Sequence, residues 1–217
     1  MFSWLTRTLN SSIGKKVLMA LTGLALIGFL IVHLAGNLTF YADADGTAFD
    51  NYAETLGSNP LIPLAELGLI VLFVAHIVLG IRVTAQNRLA RKGGYAVRKA
   101  HGGRTPGSST MVVTGLVILL FLALHLFHFR LQKEEGISFA KLMREELSQP
   151  LGAGAYLVGM IALGLHVSHA FKSALQTLGL NHPKYTPILD KVSVALAVIV
   201  AVGFASFPIF VFFGGKA

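Results

Sequence analysis

Apolar residues along the chain fall into five long runs separated by shorter polar segments. Each run is long enough to cross the hydrocarbon core of a membrane, which needs about 20 residues per helix. The runs are continuous rather than alternating, which favours helices over strands. The first run exceeds the apolar core of a signal peptide, so we expect it to be retained. The predicted spans are residues 17–40, 61–83, 111–131, 151–172 and 192–213.

Composition supports this interpretation. Of 217 residues, 54% are hydrophobic and 13% are charged, whereas a soluble domain carries roughly 25% charged residues. We therefore predict an all-α integral membrane protein with five transmembrane helices, a four-helix bundle plus a fifth helix, forming one domain over residues 1–217. The segment before the first span, with Trp4 and Arg7, is expected to be an interfacial helix.

Basic residues are distributed unevenly between the two sides. With the N-terminus in the cytoplasm and the C-terminus outside, most of the 18 Lys and Arg residues are cytoplasmic, as the positive-inside rule requires. The net charge of +8 then reflects topology, and no nucleic-acid partner is expected. The basic loop between the second and third spans is either a topology signal alone or a docking site for a soluble partner or anionic lipid.

Histidines inside the spans carry the functional signal, because an ionisable side chain in a membrane is costly unless it is paired or ligated. The first four helices each contain at least one, and the fifth contains none. Counting along antiparallel helices at about 1.5 Å per residue places His33 and His125 in the outer half. The same count places His76 and His166 in the inner half.

Two imidazoles that face each other in a helical bundle are typical of a bis-histidine haem b. The chain has no cysteine, which excludes thiolate-bound clusters, zinc–cysteine sites and covalent c-type haem. We expect the other ring nitrogen of each ligand to bond a backbone carbonyl. The cations available near the faces for haem propionates are Arg130, Lys172, Lys15 and Arg82.

Several short motifs accompany these histidines. They comprise Ser12-Ile13-Gly14-Lys15-Lys16, Gly23, Phe29, His33-Leu34 and Asn37, then Ala75-His76, Gly80 and Thr84-Ala85-Gln86-Asn87, then His125 with Arg130, and finally Tyr156-Leu157-Val158-Gly159 with His166 and Ser168. Together they resemble the cytochrome b subunit of bacterial succinate:menaquinone oxidoreductases and fumarate reductases, of the single-chain, five-helix, di-haem type. The resemblance covers nearly the whole chain.

The resemblance implies a membrane anchor in the bacterial inner membrane. Such an anchor holds a flavoprotein and an iron–sulfur subunit on the cytoplasmic face and passes electrons between the iron–sulfur cluster and menaquinone. Carried over by position, His76 and His166 would bind the iron of a proximal haem b, and His33 and His125 that of a distal haem b. The dicarboxylate would bind elsewhere in the complex.

Two further histidines leave the ligand assignment open. His128 and His169 each lie three residues from a proposed ligand and hence on nearly the same helix face, so either could replace its neighbour. His101 and His182 fall in predicted loops, where we expect them to be solvated.

The quinone site is suggested by a carboxylate. The resemblance implies one near the outer face, and Glu66 is the only acidic residue well inside a predicted span. If buried, it could exchange a proton with a quinone; alternatively, it reaches the interface or bonds a neighbouring helix. The outer segment with Asp43, Asp45, Asp50 and Glu54 is expected to be helix-poor, and the phenylalanines of the last helix to form a lipid-facing belt.

Two other functions compete. Di-haem anchors of other quinone-linked oxidoreductases share the chemistry but place their ligands on different helices. A transporter could use intramembrane histidines to bind cargo or relay protons, but it would favour broken helices and carboxylates near the midplane.

Overall fold

The computed structural model describes residues 3–90, 105–132 and 136–214, and these residues form helices and turns without a strand. Five of the helices are long and apolar enough to cross a membrane, which confirms the predicted fold class. Their bounds are Ser12–Tyr41, Ile62–Leu89, Pro106–Leu131, Pro150–Thr177 and Thr186–Phe213. His101, Lys133, Lys216 and the basic residues at positions 91, 92, 98, 99 and 104 lie outside the described residues.

Eight α-helices are numbered here in chain order within the described ranges. They are α1 (Ser3–Asn10), α2 (Ser12–Asn37), α3 (Thr47–Gly57), α4 (Ile62–Leu89), α5 (Pro106–Leu126), α6 (Phe139–Ser148), α7 (Pro150–Thr177) and α8 (Thr186–Phe213). A 3₁₀ turn (Leu38–Tyr41) extends α2, and a π-helical turn (Phe127–Leu131) extends α5. The expected N-terminal helix is α1.

Local capping sets where the long helices begin, and this makes them longer than the apolar runs. The Ser11 hydroxyl accepts a hydrogen bond from the backbone N–H of Gly14 at 3.0 Å and starts α2. Thr105 and Ser108 form a capping box ahead of α5. Pro150, at the first position of α7, supplies a backbone angle suited to a helix start.

The long helices pack in a definite order. Helix α4 packs on α2, α2 on α7, and α7 on α5, while α8 packs against both α7 and α2. Helix α7 therefore lies at the centre and contributes many buried residues, whereas α4 contributes none. Close packing between α4 and α5 is absent from the described residues. The apolar exposed sides of α4 are those expected of a lipid-facing helix.

Two short helices cover the outer end of this bundle, where a helix-poor connection was expected. Helices α3 and α6 place Phe49, Met143 and Leu147 in one buried cluster with Phe40 and Val211. The expectation was wrong because both segments are amphipathic, with apolar residues that recur at helical spacing and pack on the bundle. We call α3 and α6 the outer cap.

The acidic residues of this region have structural roles rather than being merely solvated. Asp43 accepts hydrogen bonds from the backbone N–H groups of Gly46 and Ala48, both at 2.7 Å. Asp50 accepts one at 3.0 Å from the N–H of Ala140, in the first turn of α6, and so ties the two cap helices together. The backbone N–H of Thr47 lowers the pKa of the Asp45 carboxyl.

The phenylalanines of α8 divide between two environments. Phe207 is buried and stacks on Tyr41, with ring centroids 5.0 Å apart, and Phe204 packs against His33. Phe210 and Phe213 are exposed on the lipid side. The predicted lipid-facing belt is therefore wrong for Phe204 and Phe207, because α8 turns that side toward α2 and the outer cap.

Candidate functional site

The structure brings the predicted outer histidines together. His33 on α2 and His125 on α5 have ring centroids 5.9 Å apart, with the ring planes at 81°. They come from two helices that both pack on α7. This arrangement leaves two imidazoles facing the same interior space.

The predicted inner histidines form the corresponding pair. His76 on α4 lies beside α2, with its Nδ1 atom 3.1 Å from the Thr22 hydroxyl. His166 on α7 lies beside α5, with its Nδ1 atom 3.3 Å from the Thr114 hydroxyl. His166 is also within electrostatic range of His76.

The spacing along α2 and α5 separates the two levels. Thr22 marks the level of His76, and His33 follows Thr22 by eleven residues on the same helix. Thr114 and His125 have the same spacing on α5. At 1.5 Å per residue, the inner and outer levels lie about 16 Å apart along the bundle.

The second ring nitrogens of the histidines contact side chains, not the backbone carbonyls that were expected. Besides the two threonines of the inner level, Asn37 Nδ2 lies 3.4 Å from His33 Nδ1, and the Tyr156 hydroxyl lies 3.4 Å from His125 Nδ1. The partners at the inner level come from an adjacent helix, and so does Tyr156 at the outer level, whereas Asn37 lies one turn after His33 on the same helix.

Aromatic rings enclose the outer pair. Phe29 stacks on His33 with centroids 5.3 Å apart, and Phe204 approaches the same ring to 5.6 Å. Phe121 and Phe129 lie 5.8 and 5.3 Å from the His125 ring. These rings keep water away from the outer level and restrict the movement of both imidazoles.

His128 lies outside the regular α-helical repeat that would place it on nearly the same helix face as His125. It lies in the π-helical turn after α5, and a π turn adds a residue to the helical repeat. Its ring is parallel to that of Tyr156, with centroids 6.3 Å apart. Its buried Nδ1 atom lies 3.1 Å from Glu146 Oε1 on the outer cap, without an aligned hydrogen bond.

The remaining two histidines of the described ranges have separate environments. His169 packs against the start of α5, where a Cβ added to Gly107 would lie 3.1 Å from the His169 Cβ. His182 is exposed in the connection before α8, and its Nδ1 atom accepts a hydrogen bond from the Lys184 N–H at 3.2 Å. The expectation that His182 lies in a solvated loop is confirmed.

Glu66 is not the buried, isolated carboxyl that the sequence suggested. Its Oε2 atom accepts a hydrogen bond from Arg130 Nη2 at 3.0 Å, and its side chain is 45% exposed. Nor is it the only carboxylate on a long helix, because Asp190 lies in the second turn of α8. The alternative that Glu66 bonds a neighbouring helix is the one the structure supports.

Three of the four cations considered for propionates already have protein partners. Arg130 pairs with Glu66, Lys172 pairs with Asp190, and Lys15 donates to Gln86 Oε1 at 2.8 Å. Arg82 is exposed. Lys15 itself is buried, and its contact ties the start of α2 to the end of α4, so it is part of the helix packing.

Comparison with known proteins shows what this chain is similar to. The model of the succinate dehydrogenase/fumarate reductase transmembrane subunit family matches residues 16–101, a stretch that contains His33 and His76. The succinate dehydrogenase cytochrome b558 subunit of Bacillus subtilis (strain 168) is 29% identical over 189 residues, which cover 84% of this chain and 87% of that protein. The chain is therefore similar to succinate dehydrogenase/fumarate reductase transmembrane subunits. No solved structure matches it.

The five long apolar helices are those of a multi-pass membrane protein. Sequence reasoning did not single out Thr22 and Thr114 of the site. A signal for them was present, because a Thr-Gly pair occurs eleven residues before the histidine on both α2 and α5. The partners Tyr156 and Glu146 come from distant parts of the chain and gave no comparable signal.

Proposed function

We propose that this chain is the di-haem b anchor of a succinate:quinone oxidoreductase and passes electrons between an iron–sulfur subunit and menaquinone. The observation that carries the proposal is the pair of histidine levels, with one histidine from each of α2, α4, α5 and α7. A structural anchor without haem would not need four histidines placed in this way.

The outer pair fits a haem. Two imidazoles that bind one metal ion from opposite sides at about 2 Å have centroids roughly 6 Å apart, and the separation of the His33 and His125 rings is 5.9 Å. Among the described residues, α4 is not packed closely on α5, and the two outer histidines come from α2 and α5, which both pack on α7. His33 and His125 would hold the distal haem b, and His76 and His166 the proximal one. A bound haem b supplies one-electron oxidation and reduction at its iron.

The chain's own residues define the environment of each level. At the outer level, Phe29, Phe121 and Phe204 exclude water from the histidine rings. At the inner level, the threonine hydroxyls hold Nδ1 of the histidines, which leaves Nε2 as the available nitrogen. Each histidine is therefore oriented by its neighbours before any metal binds.

Glu66 is our proposed residue for quinone protonation. Glu66 lies near the start of α4 and pairs with Arg130, just beyond α5. The pair is half-exposed, so its carboxylate can exchange protons with water as well as with a quinone in the membrane. The Glu66 carboxylate would accept a proton from a quinol.

The proposed orientation places the N-terminus in the cytoplasm of a bacterial cell, with the inner histidine level nearer that side. The flavoprotein and iron–sulfur subunits would then dock on the cytoplasmic face, where most Lys and Arg residues of the sequence lie. The remaining partners are membrane lipid and the quinone.

The test is a reduced-minus-oxidised visible spectrum with pyridine-haemochrome quantitation on the purified chain, expressed with a haem supply. We expect two b haems per chain. A chain without haem would refute the proposal and return the transporter hypothesis to consideration.

A further inference from the structure

Two threonine hydroxyls touch the inner histidines in the same way. Thr22 Oγ1 on α2 lies 3.1 Å from Nδ1 of His76, and Thr114 Oγ1 on α5 lies 3.3 Å from Nδ1 of His166. In each case the threonine and the histidine belong to adjacent, packed helices. The two contacts are thus copies of one arrangement in the two halves of the bundle.

The hydrogen atoms can be assigned from the other contacts of each hydroxyl. Thr22 Oγ1 donates to the Leu18 carbonyl at 2.8 Å, and Thr114 Oγ1 donates to the Thr110 carbonyl at 3.0 Å. A hydroxyl has a single hydrogen and two lone pairs, and this hydrogen is used in the helix. The oxygen therefore faces the imidazole as an acceptor, and Nδ1 of the histidine must carry the hydrogen.

The glycine after each threonine brings the ring close to the helix. A Cβ added to Gly23 would lie 3.3 Å from Cε1 of His76, and one added to Gly115 would lie 3.5 Å from Cε1 of His166. A Cβ would therefore be slightly tight against the ring at Gly23 and in ordinary contact with it at Gly115. The Thr-Gly pair thus supplies both the acceptor and the space for the ring.

We propose that Thr22 and Thr114 are positioning residues that hold His76 and His166 as Nδ1–H tautomers and present Nε2 to the haem iron. This inference rests on the proposed di-haem function. An acceptor on Nδ1–H raises the basicity of a ligating imidazole and stabilises the more highly charged metal. The hydroxyls consequently lower the midpoint potential of the inner haem.

The experiment uses Thr22→Val and Thr114→Val, which keep the shape of the side chain and remove the hydroxyl, with Thr22→Ser and Thr114→Ser restoring it. A matched control is Thr177→Val on α7, because the Thr177 hydroxyl donates to the Ser173 carbonyl at 2.8 Å in the same way and lies outside both histidine levels. The readouts are potentiometric titration of both b haems, low-spin ferric EPR spectra and haem content.

We expect each valine variant to raise the potential of the inner haem alone, by a change of two- to tenfold in its redox equilibrium, at most about 59 mV for one electron. The serine variants should restore the wild-type value, and Thr177→Val should not change it. Loss of the inner haem in a valine variant, with recovery in the serine variant, would also support the inference.

Unchanged potentials and spectra in both valine variants would overturn the inference, and so would a loss of haem that serine does not reverse. A wild-type chain without two haems would instead refute the proposed function. The two failures are therefore distinguishable.

Discussion

The inner and outer histidine levels are built in different ways. At the inner level each histidine lies against a Thr-Gly pair on an adjacent helix, with hydroxyl contacts of 3.1 and 3.3 Å. At the outer level the Nδ1 contacts are longer, at 3.4 Å, and come from Asn37 and Tyr156. Aromatic rings and the outer cap provide most of the surroundings there.

The two levels orient their histidines in different ways. A short local motif orients the inner histidines, so their geometry depends on few residues. The outer histidines are held by packing among rings from α2, α5, α7 and α8, so their geometry depends on the whole outer end. Perturbations should consequently affect the levels separately.

Removing an inner histidine should cause the largest change, the loss of one haem. We expect His76→Ala or His166→Ala to eliminate the inner haem and leave the outer one, because each level draws on its own pair of histidines. Pyridine-haemochrome quantitation should give one haem per chain. Conversely, His33→Ala or His125→Ala should eliminate the outer haem and leave the inner one. Two full haem equivalents in either inner variant would contradict the assignment.

Replacing Glu66 should affect the quinone reaction without disturbing either level. Loss of a general acid–base group costs roughly 10²–10⁴-fold in rate, so we expect Glu66→Gln to lower quinol turnover in the assembled complex by at least about 10²-fold. Haem content and thermal stability should hold, because an exposed ion pair contributes about 0–1 kcal/mol. Arg130→Gln serves as the matched variant that keeps the carboxylate, and full turnover in Glu66→Gln would exclude its role.

Tyr156→Phe should alter the outer level alone. The change removes the hydroxyl near His125 Nδ1 but keeps the buried ring that packs on Phe121. We expect stability to fall by about 0.5–1.5 kcal/mol and the potential of the outer haem to shift, while that of the inner haem stays constant. Tyr41→Phe, which removes a hydroxyl bonded to Ser206 instead, is the control. A shift in the inner potential would show that the levels are coupled.

The smallest effect on haem content is expected at the two neighbouring histidines. His128→Phe and His169→Phe should both retain two haems, because His128 faces Glu146 and Tyr156 and His169 packs against the start of α5. Haem quantitation and EPR spectra test this directly. Loss of one haem in either variant would make that histidine a ligand and displace His125 or His166 from the role.

Parts of the outer cap could have been predicted. Phe49, Tyr52 and Leu56 recur at helical spacing in α3, as do Ala140, Met143 and Leu147 in α6. Charged residues between them masked a pattern much weaker than that of the spans. A short amphipathic segment is marginal as a helix without a surface to pack on, and only the ends of α2, α7 and α8 supply that surface.

The sequence by itself determined the five spans and the four helices that carry histidine, because the length of an apolar run shows whether a helix can cross the hydrocarbon core. Counting along the helices also separated the histidines into two levels. Tertiary structure alone decided which side chains contact each other. It placed His128 near Glu146, paired Arg130 with Glu66, and brought threonine hydroxyls to the inner histidine rings. Those contacts join residues 52 to 64 positions apart, or follow from one altered helical turn. They depend on how helices rotate and pack against each other, which hydrophobic patterns specify only loosely.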